Sequence, residues 1–297
     1  MLQPRLLFLG SVLVACLTLL ALPTWAIGSS DQSFFQLGVA SLQAQQYSQA
    51  IAAFSQAVEQ EPNHAAAYGN RCLAYLRTGQ YVQAVADCTQ AIERSSNHAE
   101  FYLNRGLANY RSGDYLAAIN DYDRVLSLKT HDYRAFYNRG LAQFSLANYQ
   151  AAIADYNQSL QKIPPLPAER VAAIYDDRGV AYLLLQNLAA AMPDFLEAID
   201  HNPLDARAFF NLACVCHQQG KVPAAIAYFG QVLTIESDHA QSYFNRGMLY
   251  YQMSDKHSAI ADLYQAAHCF YQQDNQVAYR KVIQVLTQVQ TSQVTIG

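Results

Sequence analysis

Charge is scarce in this chain. Charged residues make up 14% of its 297 positions and the formal balance is −4. No block of like charge and no low-complexity run occurs, so neither a polyanion-binding surface nor a disordered tail is expected, and nucleic acid is not an expected partner. Catalytic signatures are missing as well. There is no CxxC, HExxH, GxSxG or phosphate-cradling glycine loop, and hence no support for an enzyme, a metal or a nucleotide cofactor. Asp176 and Asp177 are adjacent, about 100° apart on a helix, and do not form a facing acid pair. Cysteine is limited to six residues, five of them beyond Ala26. An odd number excludes a complete disulfide framework. The 52% of apolar residues instead suits one well-buried array.

What the chain does have is a repeat. TyrGlyAsnArgCys (68–72), TyrLeuAsnArgGly (102–106), PheTyrAsnArgGly (136–140), TyrAspAspArgGly (175–179) and TyrPheAsnArgGly (243–247) stand at steps of 34, 34, 39 and 68 residues. PhePheAsnLeuAla (209–213) and PhePheGlnLeuGly (34–38) are divergent copies. A period of this size means stacked supersecondary units. The units run 31–64, 65–98, 99–132, 133–166, 172–205, 206–239 and 240–273. Within a unit an aromatic stands at place 4, a small residue usually at place 8, Ala at place 20 (Ala50, Ala84, Ala118, Ala152, Ala191, Ala225, Ala259) and a large residue commonly at place 24. Apolar spacings of three and four flank a middle marked by Gly79, Gly113 and Gly220, which predicts two amphipathic helices joined by a tight turn. Asn63, Asn97 and Asp238 are placed to cap the following first helices.

This pattern resembles the tetratricopeptide repeat over 243 residues (31–273) apart from one insertion. The resemblance implies an all-α solenoid of seven antiparallel helix pairs, wound as a right-handed superhelix with a concave groove. Residues 275–290 are expected to form a helix that caps the last repeat. LysIleProProLeuProAlaGluArg (162–170) lengthens the fourth junction, as a hinge or as a longer rigid turn, and Pro167 opens an extended first helix. Pro193 is expected to loosen the start of its helix.

Place 7 departs from the family's usual Leu. Five repeats carry Arg there (Arg71, Arg105, Arg139, Arg178, Arg246), and the same five carry Asp at place 23: Asp87, Asp121, Asp155, Asp194 and Asp262. The two repeats with Leu37 and Leu212 have Ala53 and Tyr228 instead. Places 7 and 23 are equidistant from the turn at place 15, so an Arg–Asp bridge is predicted across each of these five hairpins.

The family lines its inner surface from the first helix, at places 2, 5, 6, 9, 12 and 13. Place 6 reads Asn70, Asn104, Asn138, Asp177, Asn211 and Asn245. This is similar to the asparagine ladder of peptide-binding members, in which amides donate to and accept from a guest backbone. The same asparagines can equally bond within the scaffold. Places 9 and 12 add an apolar stripe with Leu73, Tyr110, Phe144 and Tyr251 among its members, part groove and part core. The family's clamp for chaperone tails is absent, because place 5 holds no Lys.

His64, His98 and His239 fall at place 34, in separate repeats roughly 10 Å or more apart, and read as turn residues rather than metal ligands. Cys72 and Cys88 occupy places 8 and 24 of one repeat, either as a disulfide or as small buried hydrophobes.

Ahead of the repeats, Arg5 precedes an apolar run from Leu6 to Leu22 and then ProThrTrpAla. Residues 1–26 have the layout of a cleaved secretory signal peptide. The alternatives are a retained membrane anchor through residues 6–22 and a lipoprotein box at Cys16. All three place the repeats outside the cytoplasm, in a periplasm or lumen. The expected function is a non-catalytic scaffold or assembly factor for a protein or peptide partner. The alternative is a self-associating envelope protein.

Overall fold

In the computed structural model, residues 33–165 and 167–291 are described; the leader, its anchor and lipidation alternatives, and the start of repeat 1 lie outside them. Every element among the described residues is a helix. They pair as α1 (Phe34–Gln43) with α2 (Tyr47–Gln60), α3 (Ala65–Arg77) with α4 (Tyr81–Arg94), α5 (Ala99–Ser112) with α6 (Tyr115–Leu128) and α7 (Tyr133–Ser145) with α8 (Tyr149–Lys162). Beyond the insertion come α9 (Ala168–Leu184) with α10 (Leu188–His201), α11 (Ala206–Gln218) with α12 (Val222–Ile235) and α13 (Ala240–Gln252) with α14 (Lys256–Gln272). The last, α15 (Gln276–Thr291), packs on α14.

Each hairpin closes on a small residue. The alanine at place 20 is completely buried in all seven repeats, because a larger side chain there would hold the two helices apart. At place 8 a glycine lets the place-24 ring lie flat on the backbone. A Cβ built on Gly140 would stand 2.7 Å from the Tyr156 ring, closer than packed carbon atoms approach. In repeat 2 the same two places are Cys72 and Cys88. They are joined by a disulfide with Cα atoms 5.4 Å apart, so a covalent bond replaces the glycine–aromatic contact.

The turn at place 15 always takes positive φ. Gly79, Gly113 and Gly220 do so without cost, while Gln45, Ala147, Gln186 and Ser254 sit at φ 59–65° against the Cβ penalty of that region. Helix starts correct one expectation. The N-cap of α3, α5, α7, α11 and α13 is place 34, one residue later than Asn63, Asn97 and Asp238. Asp132 and Asp205 accept from Arg134 N and Arg207 N, and His239 accepts from Ser242 N. His64 and His98 make no side-chain cap bond and instead lie 4.5 and 4.3 Å from the rings of Phe35 and Phe101. A second correction concerns Pro193. Helix α10 runs unbroken through it, because the unbonded carbonyl one turn back belongs to Ala189, which is exposed.

The insertion lets α9 begin at Ala168, a turn earlier than its counterparts, while α8 and α9 stay packed together. The array therefore continues through a longer turn. At the far end Val282, Leu286 and Val289 of α15 are buried with Leu263, Ala266 and Phe270, which removes the last repeat's apolar face from water.

All five Arg–Asp pairs are bidentate through Nε and Nη2. Arg71–Asp87 bonds are 2.6 and 2.8 Å, Arg139–Asp155 2.9 and 2.6 Å, Arg178–Asp194 2.8 and 2.6 Å, and Arg246–Asp262 2.7 and 2.8 Å. Arg105 reaches Asp121 at 2.7 and 3.1 Å, and Asn109 also donates to that carboxylate. The third guanidinium nitrogen, Nη1, crosses to the preceding repeat. It meets Ser55, Thr89, Asp123 and Asn157, all at place 25, from Arg71, Arg105, Arg139 and Arg178 respectively. Arg246 finds Gly230 there, which has no side chain to accept. The same guanidinium also lies 5.4–5.8 Å from the place-4 ring of its own helix, within cation–π range.

Removing one partner strands a largely desolvated charge, which costs more than never having the pair. Asp121→Ala should therefore destabilise by about 3 kcal/mol in the natural background and by clearly less in an Arg105→Leu background. Urea unfolding of the four proteins in the cycle measures this, and equal losses in both backgrounds would remove the bridge.

Candidate functional site

Curvature decides which face can hold a guest. First helices of neighbouring repeats pack against one another, α1 on α3, α3 on α5, α5 on α7 and α9 on α11, whereas no two second helices are comparably close. The array thus bends toward its first helices, and these form the inner face. On one helix, places 2, 6, 9 and 13 are separated by four, three and four residues and fall on a single stripe.

Along that face the place-6 row is not uniform. Asn70, Asn104 and Asn138 are half-buried and, among the described residues, form no side-chain hydrogen bond. Asn211 donates to Asp176 Oδ1 at 2.9 Å, Asp177 is buried and accepts from Tyr137 Oη at 2.8 Å, and Asn245 accepts from Gln241 at 2.8 Å. The amide row is therefore open over repeats 2 to 4 and engaged within the protein over repeats 5 to 7. Its apolar neighbours are likewise partly committed. Tyr110 and Phe144 lean on Tyr115 and Tyr149 at 5.5 and 5.3 Å, and Tyr251 joins the terminal core. Leu73 is half-buried. No residue at places 9 or 12 is among the strongly exposed large hydrophobics, so this stripe is wall rather than open patch.

Repeats 4 to 6 place on the inner face a cluster that the sequence reading did not assemble. Asp176 is 2% exposed. It accepts from Asn211, lies beside Asp177, and has Arg207 Nη2 at 3.5 Å. The Arg207 side chain is 60% exposed and also 3.6 Å from Asp205, beyond good hydrogen-bond length in both directions. Burial pushes the Asp176 carboxyl up to about 7, with the Asp177 and Asp205 charges adding and Arg207 and Asn211 opposing. The two aspartates do diverge as adjacent helical residues must, Asp177 toward Tyr137 on α7 and Asp176 toward Asn211 on α11. The only hint in the sequence was AspAsp at 176–177, where other repeats have an aromatic, Leu or Gly at place 5. Among the described residues, no group of three or more metal-ligating side chains converges, and no helix is long and apolar enough to cross a membrane.

With this geometry in view, a tetratricopeptide-repeat family model matches residues 35–99, 73–132, 103–167, 177–236 and 218–275. The chain belongs to the tetratricopeptide repeat family. Proteins built from these repeats are in general non-catalytic scaffolds for protein–protein contact. One curated relative, neutrophil cytosol factor 2 of Bos taurus, is 39% identical over 84 residues, which is 27% of this chain and 16% of that protein. Among solved structures, a tetratricopeptide repeat protein from Parabacteroides merdae superposes with a TM-score of 0.60 at 21% identity, covering 86% of this chain and 97% of that one. YrrB, described as having an unusual peptide-binding site, gives 0.55 at 20% identity, covering 66% and 97%. These likenesses establish the fold of a tetratricopeptide-repeat array.

A folded-state pKa above the unfolded one, about 3.9, means that the folded protein holds the Asp176 proton more tightly. Stability must then fall as pH rises from about 4 to about 7. Asp176→Asn keeps an acceptor for Asn211 and removes the buried charge. It should be more stable than the natural protein by about 2–4 kcal/mol above pH 7, and that gap should close steadily toward pH 4. Denaturant titrations at pH 8, 6 and 4.5 test this; a gap independent of pH would show that Asp176 is not the titrating group.

Proposed function

We propose that this protein is an exported, non-catalytic scaffold that holds an extended segment of a partner protein in the inner trough of repeats 2 to 4. The observation that carries the reading is the row Asn70, Asn104 and Asn138, three amides on adjacent inner helices with no side-chain hydrogen-bond partner among the described residues. An amide offers both a donor and an acceptor, so such a row can satisfy a guest backbone with little demand on its side chains. The peptide-binding description of the similar YrrB agrees with this use of the fold. Export is supported by the leader layout of residues 1–26 and by the Cys72–Cys88 bond, since disulfides persist in oxidising compartments.

In this reading the protein assembles or organises a complex with its partner rather than turning anything over. On an array of extended dodecapeptides, the natural protein should bind a subset that an Asn70→Ala/Asn104→Ala/Asn138→Ala variant loses, with the thermal midpoint within a few degrees. Retention of the same peptides by the folded variant would take the contact surface elsewhere.

One observation favours self-association as a second reading. At the amino-terminal end of the described array, Phe34 and Leu37 are 37% and 46% exposed beside Ala52 and Ala53, around a shallow hollow of about 340 Å³. Light scattering across a micromolar concentration series separates the two readings. Rising mass supports contact between copies, and a constant monomer mass rejects it.

A further inference from the structure

Four arginines stand on the inner stripes at places 2 and 13: Arg77, Arg111, Arg134 and Arg207. Two are occupied by the protein itself. Arg134 makes bonds to Glu100 (2.6 and 3.1 Å) and to Asp132 (2.7 and 3.0 Å), and Arg207 lies over Asp176 and Asp205. Arg77 and Arg111 are different. Both are exposed, and among the described residues neither has a hydrogen bond or an ion pair.

Their placement is matched. Arg77 follows Asn70 by seven residues on α3, and Arg111 follows Asn104 by seven on α5. Seven residues are two turns, which returns to the same face with about 20° of drift, roughly 10 Å along the helix. Helices α3 and α5 therefore carry parallel tracks, Asn70–Leu73–Arg77 and Asn104–Leu107–Arg111. Each track has an unpaired amide, an aliphatic wall and an unpaired cation. On α7 the same place is Ser145, and on α9 it is Leu184, so the pair of cations is confined to repeats 2 and 3.

We propose that the trough takes an extended segment bearing two acidic side chains about three residues apart, read by Arg77 and Arg111 while the asparagine row holds its backbone. The spacing follows from two lengths. Neighbouring packed helices are about 10 Å apart, and an extended segment in the polyproline II form advances about 3.1 Å per residue with three residues per turn, so that residues three apart fall on one side. A guanidinium pairs with a carboxylate through a fork of N–H donors. This inference rests on the groove reading above and deepens it.

The probes are three fluorescein-labelled dodecapeptides of Ala and Pro, which favour the polyproline II form, with Glu, Gln or Lys at positions 5 and 8, titrated by fluorescence anisotropy. The natural protein should bind the Glu peptide about tenfold more tightly than the Gln peptide and the Lys peptide most weakly. The preference should shrink at 0.5 M salt, on the order of a 4 Å Debye length. In an Arg77→Gln/Arg111→Gln variant the Glu and Gln peptides should bind alike, at the natural protein's Gln-peptide affinity. Equal binding of Glu and Gln peptides by the natural protein would overturn the acidic preference while leaving the groove reading in place. Absence of binding to all three would defeat both. Both arginines also lie in the last turn of their helices, where they oppose the exposed carbonyl ends. If that were their whole role, the variant would lose stability but keep any peptide preference, and the proposal would fall.

Discussion

The array depends on a polar group buried where the family usually keeps a leucine. In five of the seven repeats a guanidinium grips the carboxylate of its own second helix with two donors. In four of these it extends a third donor to the repeat before. A leucine at this place would bury area without fixing a position along the helix. A planar fork against a planar carboxylate allows one register. Such pairs are weak evidence for net stability, since both charges are largely desolvated. They better explain why hairpins of nearly uniform sequence stack in one alignment and do not slip.

Two further properties follow from the same placement. Five arginines are withdrawn from the surface, which leaves an inner face whose polar character comes mainly from amides and a few separate charges. The pattern also weakens toward the carboxyl end. Repeat 6 has Leu212, buried in the core, in place of Arg, and Arg246 faces the bare Gly230. The rungs of the asparagine row change over the same stretch, from unbonded in repeats 2 to 4 to engaged in repeats 5 to 7. The trough is therefore one continuous backbone shape with two chemically different halves.

Much of this was readable from residue order. Period, small–large pairing and the joint appearance of Arg at place 7 with Asp at place 23 are properties of spacing, and spacing on helices maps directly to faces. The third contact of each staple was also present as Ser55, Thr89, Asp123 and Asn157 at place 25. It escaped notice because it joins places in different repeats, and the heights of two successive hairpins are not given by either alone. Cap positions were one residue off for a related reason. Asn63, Asn97 and Asp238 are capping types by chemistry, but backbone geometry starts each helix one residue later and leaves a histidine at the N-cap. Cys72 and Cys88 share places 8 and 24 with glycine–aromatic pairs, so their closeness was legible, but the bond depends on differences of fractions of an ångström in the spacing of the two helices.

By itself the sequence determined the helical-hairpin architecture, the number of repeats, the hairpin core and the ionic crossing of five of those hairpins, because each is set by contacts at constant separation along the chain. Tertiary structure alone decided which asparagines are left over for a guest. Whether Asn211 or Asn104 is engaged turns on what the next helix presents at that height. The buried Asp176 makes the difference, through packing between repeats that no single period encodes.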